Sequence, residues 1–190
     1  MYCIGVTGRC GVGKTEFSYH LHEELPQSVL IHADPIMHNA ILSENDLLIK
    51  LYGNNIIING KLNKQLYMSD DDNISIIETT ISPKIQTTIM SQINELALTN
   101  QNIIIIIDWF RLPDCIELWQ NCKTKILIKS IDDYLRCFHI NQRTGMTSYE
   151  LSLRDKMIDH DSLSYDVIIT NNYDNSLIKE AKRIAKRITL

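Results

Sequence analysis

Gly8-Arg9-Cys10-Gly11-Val12-Gly13-Lys14-Thr15 follows the apolar run Tyr2-Cys3-Ile4-Gly5-Val6 and leads into a helix-compatible segment. It fits G-x-x-x-x-G-K-[ST], the pattern of a phosphate-binding loop set between a strand and a helix. The chemistry accounts for the residue types. Glycines let successive backbone N–H groups turn inward around the β- and γ-phosphates, and the new helix adds the positive end of its dipole. Lys14 is placed to bridge the phosphates as a point charge, and the Thr15 hydroxyl to ligate Mg²⁺. The alternative, a merely flexible glycine turn, requires the motif's four fixed positions to coincide by accident between a strand and a helix. We therefore expect a nucleoside triphosphate to bind residues Gly8 to Thr15.

Strand-like runs recur at 2–7, 29–33, 103–108, 125–129 and 166–170, with helix-length segments between them. Continuous apolar runs such as Ile103 to Ile107 suit strands buried on both faces of a parallel sheet. The expected fold is a three-layer α/β architecture, a five-stranded parallel sheet with helices on both faces. In the closing helix, Leu177, Ile178, Ala181, Ile184, Ala185 and Ile188 make one apolar stripe. Two segments interrupt the alternation. Residues 53–100, with the acidic cluster Asp70-Asp71-Asp72 and then a long helical stretch from Ile76 to about Leu98, read as an insertion covering a second substrate, and residues 131–160 as a polar lid. We expect one domain over 1–190, with a core of 1–52, 101–130 and 161–190.

A length of 190 residues, 44% hydrophobic and 22% charged, is ordinary for a globular domain. The formal charge of −4 argues against a general nucleic-acid binder, which needs concentrated Lys and Arg. The run 103–107 is far too short to cross a bilayer. The N-terminus leads straight into a strand, so no signal peptide and a cytoplasmic location are expected. Cys3, Cys10, Cys115, Cys122 and Cys137 form no C-x-x-C pair and fit free thiols. Cys10 is either a thiol activated beside an anion site or a small loop residue. The six histidines show no zinc-ligand spacing.

In sheets of this class, ligands lie beyond the carboxyl ends of the strands. Asp34 and Asp108 both fall there. Asp34 is a candidate base for a substrate hydroxyl, or its orienter. Asp108 stands where a carboxylate holds Mg²⁺ directly or through water. Either residue could instead be a strand end or helix cap. Arg136 and Arg143 on the lid are candidate cations for a migrating phosphoryl group, against the alternative of solvated surface arginines.

The ordered combination resembles the dephospho-CoA kinase family from Ile4 to about Asn172. His32-Ala33-Asp34 resembles its D-A-D, and Asn59-Gly60-Lys61-Leu62-Asn63-Lys64 its D-G-x-L-x-R. The run from Ile77-Glu78 to Ser82-Pro83-Lys84-Ile85 resembles L-E-x-x-x-H-P-x-I. Gln142-Arg143-Thr144-Gly145-Met146-Thr147 is similar to R-D-G-x-[ST], and 166–171 to A-D-x-V-I-x-N. The resemblance implies a P-loop kinase that uses ATP to phosphorylate the ribose 3′-hydroxyl of dephospho-CoA, a small-molecule substrate. It implies Asp34 as catalytic carboxylate, Lys14 and Thr15 at the phosphates and Mg²⁺, Arg143 as a lid arginine, and Asn171 near the adenine. Lys64, Glu78 and Asp108 join Asp34 on the acceptor side. Lys64 stands for the family's Arg, Ser82 for its His, and Trp109-Phe110-Arg111-Leu112 for its P-L-L. These departures leave two alternatives open: a nucleoside or nucleoside-monophosphate kinase, and a nucleotide-binding module without transferase activity.

Overall fold

In a computed structural model describing residues 1–58, 61–63, 66 and 71–189, the central element is a parallel five-stranded sheet. The side chains of 61 and 71–78 lie outside that description. The strands are β1 (Tyr2–Thr7), β2 (Ser28–His32), β5 (Ile104–Asp108), β6 (Thr124–Ser130) and β7 (Val167–Asn171). Their spatial order is β2-β5-β1-β6-β7. A separate antiparallel pair joins β3 (Ile57–Ile58) to β4 (Lys61–Leu62).

The helices are α1 (Lys14–Glu24), α2 (Ala33–Ser43), α3 (Asn45–Tyr52), α4 (Asp71–Thr99) and α5 (Ile116–Asn121). They continue with α6 (Asp133–Thr144), α7 (Ser148–Asp155) and α8 (Ser176–Ile188). The chain divides into two compact units. One is Met1–His32 with Ile93–Leu190, and the other is Ala33–Gln92.

In the first unit, alternate residues of the sheet face opposite ways. Ile4, Val6, Ile106, Ile126, Ile128 and Ile169 meet Phe17 and Leu21 of α1 and Leu177, Ala181 and Ile184 of α8. Each large apolar side chain fully buried there contributes about 2 kcal/mol. The apolar stripe expected in the closing helix is thus its buried face, while Lys186 and Arg187 fall in its last turn. That placement complements the negative end of the helix dipole. Cys3, Cys115 and Cys122 are buried, and all five cysteines are free. Burial pushes the thiols of Cys115 and Cys122 up to about 11 and about 12. In the second unit, Ile81, Ile85 and Ile89 form a buried stripe at four-residue spacing along α4. Lys84 of α4 pairs with Glu44.

Apart from one-residue shifts at the ends of the other strands, two boundaries differ from the sequence expectation. Strand β2 ends at His32, because Ala33-Asp34-Pro35 already forms the first turn of α2. A proline is well suited to a first helical turn, where its missing N–H costs nothing, and an acid there meets the positive dipole end. Helix α4 already includes Asp71 and Asp72, ahead of the expected start at Ile76. Residues 131–160 hold α6 and α7, joined at Gly145, whose φ of 72° gives α6 a left-handed C-cap. Thr147 and Glu150 then start α7 with a reciprocal capping box.

Strand β1 leaves the sheet at Gly8, which has φ +141°. A Cβ there would lie 2.2 Å from the backbone oxygen of Ile128, so β6 closes the space that any other residue would need. Gly8→Ala is expected to cost about 2 kcal/mol or more, from backbone strain and collision together. Urea unfolding tests this: an unchanged midpoint would mean that the loop does not sit so tightly on β6.

Candidate functional site

The loop between β1 and α1 has its carbonyl groups bound from outside. Lys14 Nζ donates to Arg9 O at 2.9 Å, and Arg136 Nη1 donates to Cys10 O at 3.0 Å. Asn171 Nδ2 donates to Val12 O at 3.1 Å, and the Tyr173 hydroxyl reaches Gly11 O at 3.5 Å. In a planar trans peptide, the N–H points opposite to the preceding carbonyl. The loop N–H groups therefore turn to the other side. Those of Gly11, Val12, Gly13 and Thr15 find no acceptor among the described residues. Gly11 makes the turn at φ +78°, where a Cβ would run into Ile140 at 2.0 Å. Helix α1 starts at once, with Gly13 in the left-handed region as its N-cap. The product is a concave set of donors backed by a helix N-terminus, a geometry suited to phosphate oxygens.

Thr15 and Asp108 meet at the carboxyl edge of the sheet. The Thr15 hydroxyl donates to Asp108 Oδ2 at 2.7 Å, and Asp108 is 6% exposed. A hydroxyl and a carboxylate are hard oxygen donors, and Mg²⁺ typically takes one or two such groups beside phosphates and water. The pair fits that cation. No cluster of three or more His, Cys, Asp or Glu suited to a metal exists among the described residues.

Arg136 does not turn to the concave side. It is 3% exposed, forks onto both oxygens of Asp155 in α7, and bonds Asp133 as well as Cys10 O. Its guanidinium fastens α6 and α7 to the back of the loop. Arg154 lies over the Phe110 ring at 5.6 Å and 4.0 Å from Cys10 Sγ. Arg143 lies two turns beyond Arg136 on the same helix and is exposed. Asn171, 2% exposed, spends its amide on Val12 and accepts from Tyr173 N at 2.8 Å, so it braces the loop from behind. Tyr173 stacks on His139 with centroids 4.7 Å apart.

The first unit thus brings together Gly8, Arg9, Cys10, Gly11, Val12, Gly13, Lys14, Thr15, Asp108 and Asn171. Asp34 belongs to the second unit, exposed in the first turn of α2, two residues beyond β2. Lys64, with Asn59 and Gly60, lies outside the described residues, and so does the side chain of Glu78 on α4.

A pocket of about 310 Å³ opens beside the loop, lined by Arg9, Val12, Ile128, Lys129, Asp133 and His160 among others. Sequence reasoning passed over His160, which is isolated in the chain and buried only by tertiary structure. Burial, with the charges of Lys14 and Arg9 behind it, holds its imidazole down at about 4, so it is neutral at physiological pH. Its Nδ1 meets the Tyr165 hydroxyl at 2.9 Å. The depressed value reports burial first, with the positive charges of Lys14 and Arg9 adding to it.

No family profile matches the chain, and no curated sequence is significantly similar to it. Among solved structures, the protein TT1252 from Thermus thermophilus is 15% identical, with a TM-score of 0.73, covering 100% of this chain and 98% of that one. Dephospho-CoA kinase from Campylobacter jejuni is 20% identical, with a TM-score of 0.58 and coverage of 98% and 96%. Shikimate kinase from Acinetobacter baumannii, in complex with shikimate, is 15% identical, with a TM-score of 0.56 and coverage of 100% and 93%. The chain shares its fold with these three proteins, two of them kinases.

Two outcomes test the site's framework. Arg136→Met strands Asp155 and Cys10 O and should cost about 3–5 kcal/mol in denaturant unfolding. Adding Asp155→Leu should recover much of that loss; a silent single variant would refute the clamp. For His160, the unfolded chain takes up a proton near pH 6.5 but the native chain only near pH 4. Stability from this residue is therefore complete above 6.5 and falls as pH drops through that window, by roughly 3 kcal/mol in all. His160→Gln should flatten the unfolding profile between those values.

Proposed function

We propose that the chain is an ATP-dependent small-molecule kinase that phosphorylates the ribose 3′-hydroxyl of dephospho-CoA. The observation that carries the kinase reading is the cradle of unaccepted loop N–H groups adjoining Lys14 and the Thr15–Asp108 pair. Support for the acceptor comes from the ordered motif resemblance and from the likeness in fold to a dephospho-CoA kinase.

In this reading, the loop N–H groups bind the β- and γ-phosphate oxygens, and Lys14 swings from Arg9 O to the phosphates. Thr15 and Asp108 would hold Mg²⁺, which when bound neutralises charge on the phosphates. Asp34 accepts a hydrogen bond from the acceptor hydroxyl, orients it and takes its proton. Arg143 supplies a further cation to the transferring group. Arg136 and Asn171 keep the cradle in shape. The acceptor is held by Asp34, Lys64 and Glu78.

The Lys64 and Ser82 departures fall on the acceptor side and keep a second reading open, the same chemistry on a nucleoside or nucleoside monophosphate. A coupled ADP assay over a panel of acceptors decides between them. Turnover with dephospho-CoA, yielding the 3′-phosphate, is expected. Turnover of a nucleotide alone would transfer the assignment to the second reading, and ATP binding without any transfer would reduce the chain to a binding module. Lys14→Ala should lower kcat/KM by about 10²- to 10³-fold and Asp34→Asn kcat by about 10²- to 10⁴-fold. Near-full kcat in the Asp34 variant would remove that residue from the chemistry.

A further inference from the structure

His32 ends β2 and Asp108 ends β5, and the parallel register pairs these two residues side by side. His32 Nδ1 lies 3.0 Å from Asp108 Oδ2, the same oxygen that accepts from Thr15. The other oxygen, Oδ1, makes no hydrogen bond among the described residues. Tyr19, one turn after Thr15 on α1, packs its ring against the imidazole with centroids 5.0 Å apart. One face of α1 thus meets both partners, the carboxylate through Thr15 and the imidazole through Tyr19. The remaining ring nitrogen, His32 Nε2, is enclosed and has no partner among the described residues. A proton on Nε2 would be an unsatisfied buried donor, while a proton on Nδ1 meets a carboxylate. The neutral ring therefore carries its proton on Nδ1.

From this arrangement we propose that His32 is the positioning residue of the metal-holding carboxylate. It donates to Asp108 Oδ2 and so fixes the rotation at which Oδ1 is presented to a divalent cation bound with the nucleotide. The inference rests on the kinase reading and adds a specific role to it. Thr15 and His32 are the two donors that hold Oδ2. A hydroxyl that lends a lone pair to a cation can keep its proton on Oδ2, but its direction is then set by the cation as well. His32 supplies the bond whose direction the cation does not set. Without it, the carboxylate can rotate. Partners of this kind, acting one bond away from the metal, typically change metal affinity 10- to 100-fold.

The test uses the full chain with a non-hydrolysable ATP analogue. Mn²⁺ binding is read by electron paramagnetic resonance, and nucleotide binding in EDTA by calorimetry. His32→Ala should weaken Mn²⁺ binding to the nucleotide complex about 10- to 100-fold, with nucleotide affinity in EDTA unchanged within about twofold. His32→Asn places an amide N–H close to the position of Nδ1 and should restore Mn²⁺ affinity to within about threefold of the original. Wild-type Mn²⁺ affinity in His32→Ala overturns the proposal. So does equal loss of nucleotide binding with and without metal, which is the mark of a merely structural residue. Nitrogen-15 NMR of the unsubstituted chain gives an independent reading: Nδ1 should carry the proton, and an Nε2-protonated neutral ring overturns the proposal with no variant needed. If the unsubstituted chain binds no nucleotide in either condition, the kinase reading itself has failed.

Discussion

Four consecutive carbonyls, from Arg9 to Val12, point away from the hollow of the loop because four donors from elsewhere hold them. Reversing any of these peptides would face an oxygen towards an incoming phosphate. The donors come from the start of α1, from α6, from the end of β7 and from just beyond it. They converge because β6 and β7 follow β1 in the sheet order, which carries the segments after those strands to the same edge. Sheet order thus governs the polarity of a loop eight residues from the N-terminus.

The clamp on the loop is ionic as well as geometric. A guanidinium as deeply buried as that of Arg136 loses its hydration, and the fork onto Asp155 offsets that loss only with every donor used. Such a pair adds little net stability over a well-packed apolar substitute, but it admits few geometries. Arg9 and Asp133, 3.7 Å apart and both well exposed, are a weaker association that salt screens. The charge beside the loop is therefore divided. One cation is fixed in structural service, while Arg9 stays near the surface.

Period and punctuation made much of this architecture legible. The five strands and the closing amphipathic helix follow from patterns within a few residues of one another, and each has its counterpart in the structure. The meeting of Thr15 with Asp108 was legible too, since each ends or follows a strand at the carboxyl edge. What escaped was long-range commitment. Arg136 read as a cation for phosphate because nothing local announces that Asp155, nineteen residues on, will take its fork. The bracing role of Asn171 was hidden for the same reason, since its partner lies 159 positions away. His32 had a usable signal: two strand-ending residues on adjacent parallel strands must be neighbours, once the strand order is known. That order cannot be read from periodicity, because strands adjacent in sequence need not be adjacent in space.

The thiols sealed within the first unit have a practical side. With Cys115 near 11 and Cys122 near 12, fewer than about one molecule in 10³ carries either thiolate at neutral pH. Reagents that attack sulfur anions find almost nothing to react with in the core. Fluorophore coupling would be confined to the half-buried Cys10 and Cys137, so a Cys10→Ser chain would carry its dye at one defined place on α6.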